Sequence, residues 1–110
     1  MSHGTRDEAL LHLYSRVEEF SAKAQPIFQL NNWTWAGFLV NGRFEDPSVP
    51  SAQNISATVH SLLWSLSNEK DAEFISTGRI KVYVHKRIDV NGNESWMSGI
   101  DLNPLSVCNY

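Results

Sequence analysis

Apolar residues in the first part of the chain recur at the spacing of a helix. Leu10, Leu13, Tyr14, Val17, Phe20 and Ala24 fall on one face. Ahead of them, Thr5-Arg6-Asp7-Glu8 has the form of a capping box, with a hydroxyl at the N-cap and a carboxylate three residues on. The pattern predicts a helix that stops near Ala24, because Pro26 disfavours helical backbone in the residue before it. A second stripe, Ile55, Val59, Leu62, Leu63 and Leu66, follows Ser51 as a plausible N-cap. It predicts another helix ending around Ser67-Asn68, with Trp64 off its apolar face.

Elsewhere the period is two. Residues 33–40 read as a strand that puts Trp33 and Trp35 on one face and Thr34 and Ala36 on the other. Asn41-Gly42 tolerates the positive backbone angles of a two-residue hairpin turn, and Arg43-Phe44 opens a return strand. Residues 73–88 carry the longest strand signal, with Ile80, Val82, Val84 and Ile88 alternating. Asn91-Gly92 marks another hairpin turn, and 95–102 returns with Trp96, Ile100 and Leu102 on one face. The elements together predict an α+β fold, two helices packed on an antiparallel sheet built from hairpins. A chain of 110 residues predicts one domain with a thin core, which an oligomer would help to cover.

Composition removes several classes of function. A net charge of -3 argues against DNA binding, or membrane binding, driven by bulk charge. The one cysteine, Cys108, can form neither an internal disulfide nor a zinc knuckle. No apolar run approaches the ~20 residues that span a bilayer. "MSHGTRDEAL" lacks a basic stretch followed by an apolar one, which predicts a cytosolic protein. His3, His12, His60 and His85 are scattered, without a nucleophile or metal partner at a familiar spacing. Neither catalytic residues, nor a metal site, nor a cofactor is expected.

Charge changes the picture in one place. The odd positions of the strand ending at Arg87 are Arg79, Lys81, Tyr83, His85 and Arg87: three cations, a phenol and an imidazole on one face. Two readings of that face stand, a solvated strand surface or a site for an anion such as phosphate, whose oxygens match the guanidinium fork. Ser76-Thr77-Gly78-Arg79 sits just before it. Two hydroxyls, a glycine that lets backbone approach closely and a guanidinium make a short phosphate-friendly set, although a turn at a strand start also explains them. Trp33 and Trp35 suit a core or a subunit interface, and equally a stacking platform for a base. Arg43, past the first hairpin turn, and Phe74, just before Ser76, are the cation and the ring that chemistry would add.

Three segments resemble one family. "AQPIFQLNNWTWAG", "VPSAQNISATVHSLLWSL" and "STGRIKVYV" are similar, in order and character, to the Thoeris anti-defence one proteins of bacteriophages, over most of residues 9–84. The resemblance implies an α+β sponge that binds cyclic ADP-ribose isomers, the messengers of bacterial TIR-domain defence proteins, without cleaving them. Some members also hold cyclic oligonucleotides, and members form dimers or larger assemblies. It further implies action in the cytoplasm of the infected bacterial host. It puts Arg79, Ser76 and Thr77 near the ligand's phosphates and the "NNWTW" rings near a pocket or interface. The rival expectation is a small inhibitor that masks a host or defence protein, using Trp64 or Trp96 as anchors.

Overall fold

Thr5 does cap the first helix: its Oγ1 accepts the Glu8 N–H at 3.1 Å, and Glu8 Oε2 reaches back to the Gly4 N–H at 3.3 Å. These contacts come from a computed structural model, which describes residues 2–33, 39–40, 43–44, 50–77 and 79–102; for 2, 39, 40, 43 and 44 only the backbone is described. In chain order the elements are β1 (Ser2–His3), α1 (Arg6–Asn31), β2 (Leu39–Val40), β3 (Arg43–Phe44), α2 (Ala52–Asn68), β4 (Phe74–Thr77), β5 (Ile80–Ile88) and β6 (Glu94–Leu102).

Helix α1 runs past its expected end. It carries Pro26 inside and stops only at Asn32, whose left-handed backbone (φ 52°) turns the chain out of the helix. The Asn32 N–H donates to the Gln29 carbonyl and the Trp33 N–H to the Phe28 carbonyl, which satisfies the last turn. Proline deprives only the Ala22 carbonyl of its helical partner, and Ala22 is exposed, so water can take that place. Phe28, fully buried, draws the extra turn onto the core. Burial of such a ring contributes about 1.5–3 kcal/mol, which offsets much of the roughly 3 kcal/mol that a proline inside a helix costs.

Helix α2 matches its prediction. Ser51 Oγ accepts the Asn54 N–H at 3.1 Å, and Ile55, Val59, Leu62, Leu63 and Leu66 are buried. Its C-terminus is closed by a residue 60 positions away: one Arg6 amino group donates to the carbonyls of Leu66, Glu69 and Ala72 at 2.9, 2.9 and 3.1 Å. A cation placed on the end carbonyls both bonds them and opposes the negative end of the helix dipole. The two helices are also joined by Ser56, which donates to Glu18 Oε1 at 2.8 Å.

The main sheet is antiparallel with the order β1-β6-β5-β4, and β2-β3 is a separate ribbon. Its inner face gives Ile80, Val82 and Val84 to a core shared with Leu13, Val17, Phe28 and the α2 stripe. Trp96, Ile100 and Leu102 pack against that core, as the alternation predicts. The strand expected over 73–88 is two strands. Thr77 pairs with Ile80, so β4 and β5 form a hairpin, and Arg79 stands in its turn. The β5–β6 hairpin closes through Asp89–Asn93. Asp89 Oδ1 accepts the Asn91 and Asn93 N–H groups at 2.8 and 2.9 Å, and Gly92 takes the left-handed conformation (φ 82°) that favours glycine. On either side of residues 41 and 42, Val40 pairs with Arg43, as the first expected hairpin requires. Those two residues themselves lie outside the described ones.

Candidate functional site

Alternation along β5 sends Lys81, Tyr83 and His85 to the face away from the helices. The register sets their neighbours. Tyr83 has Phe74 on one side and Gly99 on the other; Lys81 has Ser76 and Asp101. Two rows thus cross the outer face, one of rings and one of charge, about 7 Å apart along the strands.

Gly99 has a specific part in the ring row. A Cβ at that position would collide with the Tyr83 ring, so the phenol lies over bare backbone. Tyr83 in turn stacks on His85, with centroids 5.8 Å apart and planes 19° from parallel. Phe74 stands at the other end of the row, 58% exposed although it is a large apolar ring. Lys81 Nζ lies 4.9 Å from its centroid, within cation–π range. Glu73, Phe74, Lys81, Tyr83, His85 and Asp101 together line an open groove of about 480 Å³. That size suits a small ligand. Among the described residues no hydrogen bond or ion pair engages the Glu73 or Asp101 carboxylate, so their oxygens are available as acceptors.

The residues singled out in the sequence divide into three sets. Phe74 lines the groove, and Ser76, exposed, shares the row of Lys81. Thr77 is exposed but alternates to the opposite side of β4. Arg79 does not join the outer face. It is 7% exposed, with its guanidinium carbon 3.9 Å from the centroid of the Trp33 ring. Trp33 follows the helix cap rather than lying in a strand, and meets Phe28 edge to face at 5.6 Å. The pair Arg79–Trp33 therefore ties the β4–β5 turn to the end of α1. Arg87 is exposed farther along β5 and does not line the groove. Trp35 lies outside the described residues, and Arg43 is described through its backbone alone.

A second, smaller pocket of about 160 Å³ lies between α1 and β6, lined by His12, Arg16, Phe20, Ser98, Ile100 and Asp101 among others. His12 packs against His3 with ring centroids 4.8 Å apart. Burial, then the nearby His3 and Arg16, lower its pKa from the ordinary 6.5. Among the described residues, no group of His, Cys, Asp and Glu has the arrangement of a metal centre, and no helix is long and apolar enough to cross a membrane.

Tyr83 and His85 belong to the strand face that the sequence offered as an anion site; Glu73 and Asp101 are groove residues that sequence reasoning did not select. For the carboxylates the signal is strand register, which the linear pattern does not carry.

No protein-family model, curated protein or solved structure matches this chain.

Proposed function

We propose that this protein captures and sequesters a cyclic ADP-ribose-type nucleotide without cleaving it. The observation that carries the reading is the outer-face groove, where the exposed Phe74 ring, the half-buried Tyr83 and His85 and a lysine sit on the sheet face turned away from α1 and α2. A base stacks on the ring row, a contact worth about 1–3 kcal/mol, and the phosphates meet Lys81 and the Ser76 hydroxyl. The composition of the groove, rings and acceptors around one lysine, suits holding a ligand more than attacking it. The resemblance of "STGRIKVYV" and its companion segments to phage sponges points the same way.

A sponge must hold tightly, and nanomolar affinity corresponds to about -12 kcal/mol. One open groove encloses a ligand poorly; a second copy laid over it encloses more, which favours a homodimer as the working form. The setting consistent with this chemistry is the cytoplasm of an infected bacterium. Cyclic oligonucleotides, with the same bases and phosphates, are further candidates.

Mass spectrometry of small molecules released by heat tests the proposal, using protein made in cells that contain an active TIR-domain defence enzyme. Intact cyclic ADP-ribose in the released fraction is the expected result. Linear ADP-ribose would make the protein an enzyme, and an empty fraction would remove the capture reading.

The other reading, a protein-masking inhibitor, rests on Trp64, which is 67% exposed on α2. Trp is enriched at binding hot spots. On that reading Trp64→Ala releases a stoichiometric bacterial partner, and no nucleotide shifts the melting temperature.

A further inference from the structure

The groove holds a feature that phosphate binding alone does not call for. Asp101 places a carboxylate on the outer face, one row from the rings, and the described residues give it no donor. A carboxylate repels a phosphate and offsets the charge of Lys81, so a site meant only for anions would be better without it. It is an acceptor of hydrogen bonds. Asp101 stands directly across from Lys81 and one row from Tyr83 and Phe74. A base stacked on the ring row would lie one row from both the Asp101 carboxylate and the Lys81 ammonium.

We propose that the groove selects a base bearing an exocyclic amino group, adenine in particular, and that the Asp101 carboxylate accepts its N–H hydrogens. The inference rests on the capture reading above and deepens it. An amino group donates to a carboxylate. A keto oxygen at the same position presents lone pairs to it, leaving a desolvated acceptor facing another. The rings supply affinity for any base, because every base has a π-face; the carboxylate supplies the discrimination.

The test compares cyclic ADP-ribose with cyclic inosine diphosphate ribose, in which a carbonyl replaces the amino group, by calorimetric titration of the full chain. The amino ligand should bind about tenfold tighter or more, as expected for a hydrogen bond to a charged acceptor. Asp101→Asn should bring the two affinities together, since an amide can donate to the keto oxygen. The Asp101 side chain is exposed, and a melting curve without ligand checks that the variant folds. Equal affinity of the native chain for both ligands would overturn the selection and leave capture standing. A preference that survives the Asp101 substitution would overturn the role of this carboxylate. Failure of both ligands to bind would remove the capture reading, and the selection with it.

Discussion

The two faces of β5 are built from the same nine residues and answer to different demands. The inner face, Ile80, Val82 and Val84, is aliphatic and fully buried beneath two helices. The outer face, Lys81, Tyr83 and His85, is half-buried by its own neighbours and carries charge and rings. Folding accounts for the first face completely: apolar area leaves water. It does not account for the second, where polar side chains would keep the strand soluble and Phe74 is left 58% exposed. What burial leaves unexplained on a sheet is where binding chemistry is to be sought.

Substitutions can break this comparison. Ile80→Ala should cost about 2–5 kcal/mol of stability, through lost transfer energy and the cavity it leaves. Chemical denaturation measures it, and a cost no larger than that of an outer-face truncation would erase the distinction. Arg79→Ala should cost about 1–2 kcal/mol, because the guanidinium packs on Trp33 and its stem is buried. The residue thus belongs energetically with the inner layer, though its place in the strand alternation assigns it to the outer one. A melting temperature unchanged by that substitution would return it to the surface. The smallest effect concerns His12. Its folded pKa lies below the unfolded 6.5, so the unfolded state takes up a proton first as pH falls. Stability is full above 6.5 and declines as pH drops from there to the folded value, where the loss is complete. His12→Gln should flatten that part of the melting-temperature profile; an unaltered profile would assign the loss to another group.

Much of the fold could be read from periodicity. Thr5 and Ser51 as caps, the α2 stripe and the β6 inner face were all visible, because each depends on residues within a few positions of one another. The departures come from longer range. Pro26 signals a helix end by local rules, yet Phe28 beyond it is needed in the core. The β4–β5 turn lacks the Asn-Gly signature and interrupts a pattern that otherwise alternates smoothly, so two strands read as one. Arg6 closes α2 from another helix, a contact the linear sequence cannot display.

The candidate site was legible to the same extent. Phe74 and the alternation of Lys81, Tyr83 and His85 follow from strand geometry. Arg79 was misplaced because a turn residue is exempt from strand parity. Asp101 and Glu73 enter only once register brings β6 and the approach to β4 beside β5.

The most direct test of the account is a pair of melting curves, with and without cyclic ADP-ribose, for the native chain and for Phe74→Ala. Ligand at a thousand times its dissociation constant should stabilise the native chain by about 4 kcal/mol. The variant should melt within about 0.5 kcal/mol of the native chain when ligand is absent and lose most of the ligand's effect. A variant that responds to ligand as the native chain does would contradict capture on the outer face.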